Sequence, residues 1–270
     1  MKQEKRPKSQ DSSETMKAKT LLKRLRVLEA FDHRRRELSL SEIVNITKLE
    51  ISAARRFISS LREANYLDYN PDIRRYRLSA KVLGFATAYL GSDPLVASAH
   101  FTLQQISHET GHFVELRTLD RNMLVTLLRF SDRRNQISQF RGSSIGAREP
   151  LHCMSAGLAL LSRVEPSLAR RLLSEQPLQK YTDRTVTDVD ELLQRIEQAR
   201  KLNYAICDRE YSSNIIGLGA PLTDFSGYAV GAISMAVNPQ EYSLAKIKKE
   251  PLPLITKAAN TISLPYQRET

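Results

Sequence analysis

Two adjacent arginines, Arg55 and Arg56, stand among small side chains in the segment SAARRFISSLREANYL, residues 52–67. A guanidinium carries a planar fork of N–H donors that fits a phosphate or the major-groove edge of guanine. The period of a helix places the apolar residues on one stripe: Ala54, Phe57, Ile58 and Leu61. The opposite face carries Ser52, Arg56, Ser59 and Glu63. This pattern predicts an amphipathic helix with a small, basic outer face, although an ordinary solvated surface would have the same pattern.

Two further residue groups could bind a metal or attack a substrate. His108 and His112, in HETGH, match the spacing of zinc proteases. That chemistry needs both imidazoles on one helix, whereas Gly111 is typical of a helix end and His112 begins an alternating, strand-like segment. A zinc hydrolase is therefore the weakest alternative. Cys153 beside His152 suggests a thiol nucleophile or a metal ligand, but a buried small residue at a helix start explains it better.

Composition limits the class of protein. The 270-residue chain has no apolar run of membrane-spanning length, and its polar N-terminus lacks the apolar core of a secretion signal. Its two cysteines are typical of reduced intracellular thiols. No P-loop, G-x-S-x-G or dinucleotide motif is present. We therefore expect a cytoplasmic protein with no cofactor, no enzymatic activity and no membrane partner.

Positive charge is concentrated in the first third of the chain. The net charge is +11, of which residues 1–90 carry +9. Residues 1–16, which we expect to form a disordered basic tail, contribute only +1. The remaining excess lies in a segment with folded character, which predicts that this segment meets a polyanion.

The elements around Arg55 and Arg56 predict a winged helix-turn-helix. A helix is expected over 17–31, and Ser39 with Glu42 forms a capping box for a second, short helix. After a short turn follows the helix with the arginine pair. Beyond it, "YLDY" and "IRRYRL" flank the turn residues "NPD", which predicts a hairpin, or wing, with Arg74, Arg75 and Arg77 on its second strand. The residues predicted to contact DNA are Ser41, Ser52, Ala53, Arg55, Arg56, Ser59, Arg74 and Arg75.

The rest of the chain predicts an α+β domain with a largely antiparallel sheet. A helix from 79 to 90 ends at Gly91, and Asp93 with Pro94 begins the next helix, so we place the domain boundary there. Strands and helices then mix, residues 131–150 are mostly loop, and one last helix runs from about 243 to 262.

Four segments in this order resemble the IclR family of bacterial transcription regulators. They are LSLSEIVNITKLEISAARRFISSLREANYL, YRLSAKVLGFATAYL, LHCMSAGLALLS and CDREYSSNIIGLGAPLTDFSGYAVGAISMAV. The resemblance implies a winged helix-turn-helix DNA-binding domain over 17–78, a linker helix over 79–93 and a GAF-like effector-binding and oligomerisation domain over 94–265. It implies a homodimer or homotetramer on near-palindromic double-stranded operator DNA, tuned by a small organic acid. The segment KVLGFATAYLGSDPLVASA, residues 81–99, resembles most the branch that controls aromatic-acid catabolism through the β-ketoadipate route.

The resemblance also implies a pocket for the effector. Its residues would be Ser155, Ala156, Gly157, Cys207, Ile215, Gly217, Ser234 and Ala236. Backbone N–H groups at the helix start near residue 155 could hold a carboxylate. Leu158 replaces the lysine that is usual in the family. Cys207 and Gly217 make the pocket less acidic and less crowded than in members that bind very small acids. The alternative is a constitutive DNA-binding regulator whose C-terminal domain only oligomerises.

Overall fold

A computed structural model describes residues 20–32, 34–131 and 144–263. The predicted tail at 1–16 and most of the loop predicted at 131–150 lie outside the described residues. The chain divides into two compact units, 1–89 and 90–270, and the division falls inside a helix of the predicted linker. Each unit is described separately.

The first unit builds a three-helix core and a small sheet. Helix α1 covers 20–29 of the described chain; strand β1 (Glu37–Leu38), helix α2 (Leu40–Thr47) and helix α3 (Ile51–Glu63) follow. The predicted capping box is present, because the Glu42 amide donates to Ser39 Oγ (3.3 Å) and the Ser39 amide donates to Glu42 Oε2 (2.7 Å). The buried face of α3 carries Ala54, Phe57, Ile58 and Leu61, as its period predicts.

The hairpin consists of β2 (Leu67–Asn70) and β3 (Arg75–Leu78), and β3 is the central strand of the order β1-β3-β2. Its turn spans four residues, 71–74, and the backbone at Arg74 is left-handed with φ of 52°. The prediction that Arg74 lies on the second strand is therefore wrong: the turn is longer than "NPD" alone suggests, and Arg74 closes it.

The linker begins as a 3-10 turn, Ala80–Val82, capped by the Ser79 hydroxyl, and continues as helix α4 (Leu83–Gly91). Within the described chain, α4 has no buried residue, although most of its side chains are apolar. Leu83, Phe85 and Tyr89 are each more than half exposed, at 61%, 64% and 56%.

The described part of the second unit is a six-stranded antiparallel sheet between two layers of helices. Its order is β6-β5-β4-β9-β8-β7. The strands are β4 (Phe113–Asp120), β5 (Met123–Phe130), β6 (Arg148–Pro150), β7 (Ala205–Asp208), β8 (Ile216–Thr223) and β9 (Ala229–Val237). The helices are α5 (Pro94–Thr110), α6 (Ser155–Leu161), α7 (Pro166–Ser174), α8 (Val189–Leu202), α9 (Leu244–Lys249) and α10 (Pro251–Ser263). One apolar core joins α5, α9 and α10 to one sheet face, and a second joins α6, α7 and α8 to the other. The predicted antiparallel α+β architecture is confirmed.

The single C-terminal helix predicted for 243–262 is instead two helices, α9 and α10. The break lies at Glu250, whose φ and ψ are −110° and −77°, immediately before Pro251. Proline lacks an amide proton and crowds the residue before it, so the helix ends there and a new one starts with Pro251 in its first turn.

Candidate functional site

The outer face of α3 is exposed and basic, as its sequence predicts. Ser52, Arg55, Arg56 and Ser59 are all exposed, while Ala53 is half-buried at the edge of the face. No ion pair joins Arg55 or Arg56 to another side chain of the described residues. Their guanidinium groups therefore stand on a helix whose other face is fixed in the core, and both can donate to an incoming anion.

The two wing arginines differ in their surroundings. Arg74 is exposed at the tip of the hairpin. Arg75 instead donates to the Glu37 carbonyl (2.9 Å) and pairs with Glu42 (Nη1 to Oε2, 3.1 Å). Hydrogen bonds from Ser39, assisted by Arg75, lower the pKa of the Glu42 carboxyl. Arg75 thus ties the hairpin to the capping box, a role that its sequence position did not suggest.

Ser41, the remaining residue of the predicted DNA contacts, is exposed in the first turn of α2. The exposed residues predicted to contact DNA therefore lie on α3, at the start of α2 and at the hairpin tip.

A cavity lies between the start of α6 and the sheet of the second unit, and it leaves about 40 Å³ for water-sized molecules. Six of the eight predicted effector-pocket residues line it: Ser155, Cys207, Ile215, Gly217, Ser234 and Ala236. Ala156 and Gly157 are buried nearby but are not among its described lining residues. The lining that the sequence did not predict comprises Glu115, Arg117, Cys153, Met154, Glu210, Tyr211, Ser212 and Met235.

Glycines let α6 approach the sheet closely. A Cβ on Gly219 would lie 2.5 Å from the Ser155 carbonyl oxygen, and one on Gly217 would lie 2.9 Å from Ser155 Oγ. A Cβ on Gly157 would lie 2.1 Å from the Leu151 carbonyl oxygen. Gly157 and Gly219 therefore serve backbone packing, whereas Gly217 faces the cavity.

A buried ion network forms one wall of the cavity. Arg117, 1% exposed, pairs with Glu115 (Nη2 to Oε2, 2.5 Å) and with Glu149. Glu115 also pairs with Arg129, its direct partner on the adjacent strand (3.2 Å). Burial opposes the charge of Arg117, but the two carboxylates more than offset it and raise the pKa of the guanidinium. No sequence motif indicated this network, because its members come from three strands that meet only in the fold.

A second, partly buried ion pair stands at the other wall. Arg195 pairs with Glu210 (2.6 Å), and its Nη2 lies 3.8 Å from the Cys207 sulfur. Burial raises the pKa of both the Cys153 and the Cys207 thiol well above the ordinary value. Both cysteines are therefore protonated at neutral pH, which makes them poor nucleophiles and poor metal ligands.

The HETGH motif does not form a zinc site. Helix α5 ends at Thr110, Gly111 is left-handed with φ of 72°, and the motif is split there. His108 is exposed on the helix, whereas His112 is buried beyond it, with Nε2 3.0 Å from the Tyr242 hydroxyl. Among the described residues, no three His, Cys, Asp or Glu side chains are grouped to hold a metal.

A winged helix with an exposed basic face, joined to a sheet domain that encloses a cavity, defines a class of DNA-binding proteins with a ligand-binding domain. Residues 20–71 match the IclR helix-turn-helix domain, and residues 87–264 match the family described as bacterial transcriptional regulator IclR C-terminal. The chain belongs to the IclR family of transcriptional regulators, and it is not an enzyme.

Several relatives align over nearly the whole chain. The Pca regulon regulatory protein of Pseudomonas putida is 28% identical over 90% of this chain and 82% of its own length. The p-hydroxybenzoate hydroxylase transcriptional activator of Acinetobacter baylyi is 26% identical over 90% and 89%.

Solved structures share the fold. A transcriptional regulator of Rhodococcus sp. RHA1 superposes with a TM-score of 0.77 at 28% identity, over 91% of this chain and 97% of its own. An IclR homologue from Microbacterium hydrocarbonoxydans, complexed with 4-hydroxybenzoate, gives 0.76 at 22% identity, over 91% and 98%. Along the described residues, no helix is both long and apolar enough to span a bilayer.

Proposed function

We propose that the protein is a ligand-responsive regulator whose affinity for operator DNA changes when a small organic acid, of the aromatic class, binds in the cavity beneath α6. The observation that carries the proposal is that cavity: it is lined by Ser155, Ser234 and a buried arginine, in a chain whose other unit is a winged helix. The named functions of the Pseudomonas and Acinetobacter relatives, and the 4-hydroxybenzoate in the Microbacterium structure, favour an aromatic acid.

The recognition element is α3. Its exposed serines leave room for the helix to approach base edges, and Arg55 with Arg56 supplies donors for bases or phosphates. Arg74 at the hairpin tip is placed to contact phosphate or the minor groove. Arg75 contributes indirectly, because its pairing with Glu42 holds the wing against the first turn of α2.

The functional state is a homo-oligomer on a near-palindromic operator. A dimer sets two copies of α3 into successive major grooves, about 34 Å or a multiple apart. Helix α4 exposes the apolar side chains of Leu83, Phe85 and Tyr89, and exposed apolar surface on this helix supports such pairing. Ligand binding then changes the populations of oligomer geometries, and DNA must change ligand affinity by the same factor.

The test is fluorescence anisotropy of the full chain on the intergenic DNA upstream of its own gene. The titration is run over a salt series, with and without 4-hydroxybenzoate and protocatechuate. We expect specific binding that one acid shifts. Specific binding that neither acid alters would favour the constitutive alternative, and weak binding with equal affinity for any sequence would refute recognition by α3.

A matched pair of variants separates recognition from net charge. Arg56→Ala and Arg170→Ala each remove one positive charge, but Arg170 is exposed on α7 of the other unit, paired with Asp190. We expect only Arg56→Ala to lower operator affinity. If both variants weaken binding equally, the effect is one of overall charge and α3 is not the recognition helix.

A further inference from the structure

Among the residues that the structure describes, the charges at the first wall of the cavity balance without a ligand. Arg117 and Arg129 supply two positive charges, and Glu115 and Glu149 supply two negative ones. The second wall is balanced as well, by Arg195 and Glu210. Among these described residues, a carboxylate that enters the cavity therefore finds no surplus positive charge, yet a buried carboxylate without a cationic partner is strongly disfavoured.

Arg117 is the cation that the acid can reach. It is the one arginine or lysine among the described residues that line the cavity, and neither Arg129 nor Arg195 belongs to that lining. Its guanidinium can bind a carboxylate through two parallel hydrogen bonds. To do so it must first release one of its glutamates.

Glu115 is the glutamate placed to leave. It lines the cavity, whereas Glu149 does not, and its two oxygens are already divided between two guanidiniums: Oε2 lies 2.5 Å from Arg117 and Oε1 lies 3.2 Å from Arg129. Burial, opposed by Glu115, lowers the pKa of Arg129, as expected for a cation that shares its carboxylate with another arginine. The charged form of Arg129 would therefore be stabilised further if both oxygens of Glu115 paired with it alone.

We infer that Arg117 binds the carboxylate of the effector, and that Glu115 passes from Arg117 to Arg129 as the acid enters. The inference rests on the proposed function, since it names the anchor of the same cavity. Arg117 is a specificity-determining residue, because an uncharged analogue cannot draw it away from Glu115. Glu115 acts as a resident competitor that the acid must displace.

The exchange makes an unusual prediction for Glu115→Gln. With the acid bound, the described wild-type network holds three carboxylates and two guanidiniums, whereas the same network in the variant holds two of each. Charge-assisted hydrogen bonds contribute enough that losing the competitor should strengthen acid binding by about tenfold or more. Removing a residue that merely shaped the cavity would weaken binding instead.

The experiment is calorimetric titration of the full chain with 4-hydroxybenzoate and protocatechuate, and with the neutral amide 4-hydroxybenzamide. The variants are Glu115→Gln, Arg129→Gln and the double variant, with the exposed Glu197→Gln of α8 as the matched control. We expect Glu115→Gln to bind the acid more tightly and to leave the weaker amide binding unchanged. Arg129→Gln should weaken acid binding, because the displaced Glu115 then has no guanidinium to pair with. In the Glu115→Gln background, the same substitution should have no such effect. This non-additivity is the signature of the exchange.

Unchanged or weaker acid binding by Glu115→Gln overturns the inference, and so does additivity of the two substitutions. If the wild type binds acid while these variants behave like Glu197→Gln, the proposed function stands and only the anchor is wrong. If no variant binds either acid, the inference and the aromatic-acid class both fail, and DNA binding measured on the same samples reports separately on the regulator.

Discussion

Two glycines of β8 allow one chemical change to be tested in two environments. Gly217 and Gly219 lie on the same face of the strand, and replacing either by alanine adds one methyl group toward Ser155. At Gly219 the methyl would meet backbone atoms at 2.5 Å, so α6 and the sheet must separate by about 1 Å to reach ordinary contact. We expect Gly219→Ala to lower the free energy of unfolding by about 3 kcal/mol, in the upper part of the range for overpacked cores.

At Gly217 the nearest atom is the Ser155 hydroxyl oxygen at 2.9 Å, which a side-chain rotation can move. The stability cost should stay below about 1 kcal/mol and be partly offset by the reduced entropy of the unfolded chain. The methyl, however, would project toward a cavity whose free volume is only about 40 Å³. Gly217→Ala should therefore lose acid binding while keeping its stability.

The assay pairs urea unfolding, followed by circular dichroism and tyrosine fluorescence, with calorimetric titration of the acid. Tyrosine is the natural probe because the chain contains no tryptophan. The reasoning is refuted if the two variants lose the same stability, or if Gly217→Ala binds the acid as well as the wild type. The first result would mean that α6 yields easily, and the second that the acid binds elsewhere.

Three further predictions concern other parts of the chain. Arg56→Ala should cost about 1–3 kcal/mol of operator binding and relax sequence preference if Arg56 reads a base, whereas equal losses on every sequence in anisotropy titrations would assign it to phosphate. Ser39→Ala should destabilise the first unit by about 1 kcal/mol in thermal unfolding, while Ser41→Ala on the same helix should have little effect. Burial lowers the pKa of His112 below 6.5, so the neutral imidazole stabilises the fold above that pH and this stabilisation is lost as pH falls. His112→Gln should therefore flatten the decline in melting temperature between about pH 7 and pH 5. His108→Gln, the control, should leave that decline unchanged.

The parts of the fold that the sequence predicted best are those determined by neighbouring residues. The capping box of Ser39 and Glu42, the end of α5 at Gly111 and the buried stripe of α3 each depend on residues within one or two turns. The break before Pro251 also had a local signal, and the prediction of one helix gave too little weight to it.

The candidate sites were predictable only in part, because their chemistry depends on contacts between distant segments. The role of Arg75 depends on Glu42, which is 33 residues away in the chain. The network around Arg117 joins three strands, and Glu149 is 32 residues from it. Neither set has a characteristic spacing, so only the strand order could bring these residues together.

The close seating of α6 has a mechanical consequence. Its first turn rests on backbone at two places, the Leu151 carbonyl and the β8 backbone at Gly219, with no side chain between them to be compressed. At these two places side-chain rotation cannot make room for a molecule that presses on α6. The helix must instead shift as a rigid body. A larger bound acid would therefore displace α6 further, and α8, which packs against α6, would move with it.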